Sequence, residues 1–232
     1  MYSLVKRTRP RIVVELGTGF GVTAARMAGA LLENSSGVIH TYDNGSHFSS
    51  EPGIRFVEGL KGPLADSLRE MGQNYPAFLQ HVFQWAGGEN HVVASWQEIG
   101  FAEIAQAPAF DGGIDMVFSD FNHSQDSIQA LLAAFLPRME ESASIFIDSA
   151  STQRLSYLTH EAVVDALNQN KIPRTFNKNR SEQDIDALLR MVQCSRFRLM
   201  HLLEACDRAQ NSTAWISIEP VDVIPTAATF LH

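Results

Sequence analysis

The chain has 232 residues, 45% hydrophobic and 19% charged, which excludes a disordered, collagen-like or coiled-coil protein and fits one compact soluble domain, or one domain carrying large insertions. Eighteen Lys+Arg against 26 Asp+Glu leave a formal charge of −8, which argues against binding along a phosphate backbone, so no nucleic-acid partner is expected. No apolar run approaches the roughly 18 residues of a membrane span, and the basic start from Lys6 to Arg11 is followed by only Ile12, Val13 and Val14 before Glu15, so a cytoplasmic protein with no membrane partner is expected.

The predicted elements alternate between short apolar runs and helical stretches, the pattern of an α/β sheet. Arg11 to Leu16 is a β-branched strand that runs into glycines, and Thr23 to Leu32 is the helix after them. Val38 to Tyr42 is a second strand, ending at Asp43. The stretch from Asn44 to Asn90 exceeds a minimal crossover: it holds a Gly- and Pro-rich segment, 45–74, and a helix from Ala77 to Trp85. A weaker strand, His91 to Ala94, follows. Ile114 to Ser119 ends at Asp120, and Ser144 to Ile147 ends at Asp148, with a helix from Ser127 to Leu136 between them. Two buried strands thus each deliver a carboxylate at the carboxyl edge, where open α/β sheets bind ligands. The second long connection, 150–195, holds two helices around a basic loop, Lys171 to Arg180; Ser181 and Asp184 form a capping box for Glu182 to Gln193. Both long connections are placed to act as lids. Phe197 to Ala205 and Thr213 to Ile218 are separated by only seven residues, too few for a parallel crossover, so they form an antiparallel pair. A chain of this size builds its core without disulfides, and Cys194 and Cys206 read as reduced thiols.

The stretch Val13-Val14-Glu15-Leu16-Gly17-Thr18-Gly19-Phe20-Gly21 takes a strand directly into a glycine turn and a helix. Glycines let the backbone approach a ligand closely, and the helix start offers free N–H groups. The spacing is G-x-G-x-G; the dinucleotide fingerprint G-x-G-x-x-G would need its last glycine at Val22. Asp43, 22 residues past Gly21, stands where a carboxylate accepts hydrogen bonds from ribose hydroxyls. Together these features indicate nucleotide binding.

Glu15 to Gly21 resembles motif I of class I S-adenosylmethionine (SAM)-dependent methyltransferases, and the likeness extends over about Arg11 to Pro220. It implies a Rossmann-like, doubly wound seven-stranded α/β sheet, mostly parallel with an antiparallel C-terminal hairpin. It also implies that Glu15, Gly17, Thr18, Gly19 and Gly21 surround the methionine portion of SAM, that Asp43 with Asn44 holds the ribose, and that Ser95 and Trp96 flank the adenine. The segment Asp115 to Ser124 resembles the fourth-strand motif of small-molecule O-methyltransferases, which places Asp120 and His123 beside the methyl donor. A histidine there suits the removal of an acceptor's proton. The alternative for His123 is a residue at a helix start, with Asn122 and Gln125 as the cap pair. Asp120 and Asp148 could together ligate Mg²⁺, as in catechol-type methyltransferases. That family follows the last acid with Asn, where Ser149 stands here, and has Lys at the position of His123. Zinc is not expected: the histidines lack paired spacing, and the cysteines lie twelve residues apart.

The expected function is transfer of a methyl group from SAM to a small-molecule acceptor, most readily a hydroxyl. The alternative is a SAM-consuming enzyme of the same fold that cyclises the aminobutyrate arm and releases methylthioadenosine. The chain reaches its first strand after about ten residues, without the N-terminal helices that often build an acceptor pocket, which leaves room for that alternative. The intact glycine loop disfavours a non-catalytic subunit, and Val22 disfavours a nicotinamide oxidoreductase. Lys171, Arg174, Lys178 and Arg180 read either as anion recognition on the acceptor or as solvated surface. Phe48, Phe56, Tyr75 and Phe78 read as pocket lining or as packing of the first insertion. The apolar stretch from Ile224 to Leu231 would suit a homodimer contact or a tail lying on the domain.

Overall fold

Strand and helix signals alternate so that each strand is covered by a following helix, and the computed structural model follows that order over the residues it describes: 1–71, 74–150, 154–178, 180–203, 212–221 and 229–230. The strands β1 (Ile12–Leu16), β2 (Val38–Asp43), β3 (Val92–Trp96), β4 (Ile114–Ser119), β5 (Met139–Asp148), β7 (Ser195–Leu203) and β8 (Ser212–Pro220) are ordered β3-β2-β1-β4-β5-β8-β7 in a seven-stranded mixed sheet, the Rossmann-like topology that the resemblance implies. By contact density the chain divides into two units, Met1–Ile99 and Gly100–His232.

In the first unit, α1 (Tyr2–Thr8) precedes β1 (Ile12–Leu16), so the eleven residues before the first strand hold a two-turn helix. The β-branched run of β1 is buried from Val13 to Leu16. It leads to α2 (Val22–Asn34), β2 (Val38–Asp43), α3 (Glu51–Gly59), α4 (Pro63–Glu70), α5 (Tyr75–Trp85) and β3 (Val92–Trp96). The three strands are parallel, with Glu15 opposite Thr41 and Asp43 opposite Trp96. Residues paired in parallel strands point to the same face, so Glu15, Thr41, Asp43 and Trp96 share one side of the sheet. The Gly- and Pro-rich insertion folds as α3 and α4, started by Pro52 and Pro63, where a missing N–H is harmless. Phe48, Val57 and Leu68 of this insertion are buried with Ala24 of α2 and with Tyr75, Phe78, Leu79 and Phe83 of α5. Packing therefore accounts for Phe48, Tyr75 and Phe78, whereas Phe56 is 47% exposed.

The second unit contains α6 (Phe101–Ala105), β4 (Ile114–Ser119), α7 (Gln125–Phe135), β5 (Met139–Asp148), α8 (Arg154–Asn168), β6 (Lys171–Ile172), α9 (Glu182–Cys194), β7 (Ser195–Leu203), β8 (Ser212–Pro220) and β9 (Thr229–Phe230). β5 is longer than Ser144 to Ile147 because its first half carries Glu140 and Glu141 on an irregular stretch; the register passes from Ile114↔Met139 to Met116↔Ser144. Such a bulge hides a strand from the apolar pattern. β8 pairs antiparallel with both β5 and β7, which bears out the terminal hairpin. At the start of α9, Ser181 Oγ accepts from Asp184 N–H, and the Asp184 carboxylate takes the Ser181 hydroxyl and Arg138. β6 and β9 form a separate two-stranded pair. Among the described residues no helix is long and apolar enough to cross a membrane. Cys206 and the side chains of Ile224 to Leu231 lie outside the described residues.

Candidate active site

The glycine loop between β1 and α2 needs its three glycines. Gly17, Gly19 and Gly21 have φ of +93°, +54° and +75°, a left-handed backbone that side chains rarely adopt, and this alternation produces the G-x-G-x-G spacing. Gly17 N–H donates to the Tyr42 carbonyl and Gly21 N–H to that of Thr18, so the turn closes on itself and on β2. Gly21 is the N-cap of α2 and offers no side chain, which leaves first-turn N–H groups to a ligand.

Beneath the loop runs a chain of hydroxyls. Thr41 donates to Glu15 Oε2 at 2.5 Å, and Thr18 Oγ1 lies 2.5 Å from Thr41 Oγ1. A threonine hydroxyl has one proton, so with Thr41 donating to Glu15, Thr18 must donate to Thr41. The Thr18 side chain therefore points inward, and only its backbone faces the loop's outer side. Glu15 is fully buried, so its carboxyl group lies under the glycine turn.

Asp43 joins two loops: Oδ2 accepts from Gly19 N–H at 2.9 Å and Oδ1 from Gly45 N–H at 2.6 Å. Each carboxylate oxygen keeps a second lone pair, so Asp43 can hold the glycine loop and still accept from two ribose hydroxyls. Neighbouring Asn44 is exposed and uses Oδ1 to accept from Ser46 N–H. Ser95 lies opposite Tyr42, and Trp96, 43% exposed, lies opposite Asp43. Tyr75, which the sequence offers as pocket lining or packing, also reaches the glycine loop. Its hydroxyl donates to the Gly19 carbonyl at 2.7 Å, and its ring packs on Phe48 and edge-on to Trp96, with centroids 5.0 and 5.4 Å away. Burial, then the negative charges of Asp43 and Glu15, raise the pKa of its phenol, which keeps Tyr75 a neutral donor. The signal for its place was the cap sequence Asn74-Tyr75-Pro76, which starts α5 two residues before Ala77.

In the second unit, β4 delivers Asp120 at its carboxyl end. His123 Nε2 lies 4.0 Å from Asp120 Oδ1, with the His123 side chain 15% exposed. The cap beside His123 is Ser124, which accepts from Ser127 N–H; Asn122 accepts from Ser124 N–H instead of capping the helix itself. His123 therefore precedes the cap and belongs to the loop. Ser156 of α8 donates its hydroxyl to the His123 carbonyl, a contact across 33 residues that sequence spacing does not reveal.

Asp148 ends β5, where Oδ1 accepts from Thr213 at 2.8 Å and Oδ2 lies 3.4 Å from Ser149 Oγ. Ser149, fully buried with φ +55°, occupies the strand end in place of the Asn of a catechol-type site. Among the described residues no three His, Cys, Asp or Glu side chains converge as a metal site.

The basic loop divides between surface and structure. Lys171, Arg174 and Lys178 are exposed, whereas Arg180 donates to the Ala133 carbonyl in the last turn of α7, where a cation offsets the helix dipole. Lys178, Arg180, Arg138 and Asp184 line a cavity of about 190 Å³ at the amino end of β5, remote along that strand from Asp148.

A family profile described as a methyltransferase domain matches residues 14–150, a span that includes the glycine loop, Asp43, Tyr75, Asp120, His123 and Asp148. The chain belongs to this methyltransferase-domain family. In fold the methyltransferase is similar to the O-methyltransferase TomG from Streptomyces achromogenes, solved with SAM, at 12% identity over 94% of this chain and 77% of that one, with a TM-score of 0.53. It is also similar to cofactor-bound Rv0187 from MTB, at 13% identity over 95% and 78%, with a TM-score of 0.51. SAH-bound PaMTH1, a methyltransferase of Podospora anserina, matches at 11% identity over 95% and 76%, with a TM-score of 0.50. No curated protein matches the sequence.

Proposed function

We propose that this methyltransferase transfers the methyl group of SAM to a hydroxyl of a small-molecule acceptor, with His123 taking the acceptor's proton. SAM carries its methyl on a cationic sulfonium, so the donor is already activated for in-line attack. The protein's share is then alignment, exclusion of water and removal of a proton. The glycine loop and the remaining lone pairs of Asp43 suit the methionine and ribose portions, and Trp96 presents an exposed ring beside Asp43 for the adenine. The hydroxyl reading is carried by one observation: a histidine Nε2 faces a carboxylate at the carboxyl end of β4. As the acceptor oxygen attacks, its proton passes to Nε2, and Asp120 stabilises the imidazolium that forms.

The test is mass spectrometry of the nucleoside product when the protein meets SAM, alone and with a panel of hydroxylated small molecules. S-adenosylhomocysteine formed only with an acceptor, together with an O-methylated product, is expected. Methylthioadenosine from SAM alone, or methylation only at nitrogen or carboxylate, overturns the reading.

A further inference from the structure

Among the described residues three buried imidazole nitrogens lack a hydrogen-bond partner: Nδ1 of His123 and both nitrogens of His160. Buried polar atoms in native proteins are nearly always paired, so three such atoms in one unit ask for a common explanation. His160 is fully buried on α8. Ser156 lies four residues earlier, one helical turn away on the same face. Because the Ser156 hydroxyl is bonded to the His123 carbonyl, that face of α8 lies against the His123 loop. His160 therefore follows one turn along the contact.

We propose that His160 is a positioning residue for His123, accepting the Nδ1 proton of His123 across one water molecule and so keeping the lone pair on Nε2, the nitrogen that faces Asp120. A neutral imidazole has one N–H and one bare nitrogen, and the partner of the N–H decides which nitrogen can act as a base. His160 can accept only while uncharged. Its burial, reinforced by His201 and His123, lowers its pKa to about 4 and keeps it so. The catalytic consequence rests on the reading of His123 as the base, but the tautomer itself does not.

The experiment uses the full chain labelled with ¹⁵N-histidine. Long-range ¹H–¹⁵N spectra recorded at pH 8 distinguish the two tautomers of each neutral ring, and the signals lost in His123→Ala identify His123. The Nδ1–H form is expected for His123 in the wild type. His160→Leu is expected to move His123 largely to the Nε2–H form and to lower turnover about tenfold or more with SAM affinity unchanged, and His160→Asn, which retains an acceptor, to restore both. An Nε2–H ring in the wild type overturns the proposal without need of any variant, as does a tautomer unmoved in His160→Leu. If the tautomer behaves as expected but His123→Ala turns over normally, the positioning role stands and the base reading falls. If His123→Ala is inactive but the wild-type ring is Nε2–H, the positioning role falls, and His123 is needed for turnover by a route other than proton uptake at Nε2.

Discussion

The Tyr75 hydroxyl donates to the Gly19 carbonyl at 2.7 Å, which ties the first turn of α5 to the middle of the glycine loop across 56 residues. The segment between them, partly an insertion, is therefore mechanically coupled to the glycine loop. Tyr75→Phe keeps the ring contacts with Phe48 and Trp96 and removes only the hydrogen bond. We expect about 0.5–1.5 kcal/mol of lost stability in urea unfolding and a several-fold weaker affinity for SAM by calorimetry. Equal affinity in the variant would show that the loop holds its shape without Tyr75.

Asp43 takes hydrogen bonds from Gly19 and Gly45 before any ligand arrives. Asp43→Ala is expected to weaken SAM binding by about 1–3 kcal/mol, through loss of charge-assisted hydrogen bonds and a slacker loop. Asp43→Asn retains one acceptor oxygen and should fall between the two. Calorimetric titration with S-adenosylhomocysteine checks this, and unchanged binding in the alanine variant would remove Asp43 from the site.

Gly45 has φ +73°, and a Cβ added there would lie 2.6 Å from Tyr75 Cδ1, on a ring packed on two others. Gly45→Ala meets both a strained backbone and a rigid neighbour, so a loss of about 1–3 kcal/mol is expected, with SAM affinity falling alongside. Gly59, with no atom within 4 Å of an added Cβ, is the control: Gly59→Ala should change neither quantity appreciably.

The folded-state pKa of His160 is lowered by burial from 6.5 to about 4. Between those values the unfolded chain binds a proton that the native protein refuses. Stability is therefore unaffected by this group above pH 6.5 and falls as the pH drops toward 4, by about 3 kcal/mol in all for so buried a ring. Half-buried His40, lowered for the same reason, adds to the slope with the same sign. Unfolding measured from pH 7.5 to 4.5 should show this loss, and His160→Gln should flatten it; an equally steep curve in the variant would assign the acid sensitivity elsewhere.

What the sequence by itself determined is everything written in local spacing. Alternation of apolar runs with helices set the element order, the seven-residue gap forced an antiparallel hairpin, and G-x-G-x-G marked a turn with three left-handed residues. Asp43, Asp120 and Asp148 were legible because each is the first charge after a buried strand. β5 was read too short because its glutamates break the apolar pattern at a bulge, and α5 too late because its cap was overlooked. Only the tertiary structure decided where polar side chains spend their hydrogen bonds. It turned the Thr18 hydroxyl inward to Thr41 and gave Asp148 to Thr213, 65 residues away. It set Arg180 on the end of α7 and brought Ser156, with His160 one turn on, against the loop of His123. The physical reason is that periodicity reports which face of an element is buried, whereas a hydrogen-bond partner depends on which distant element covers that face.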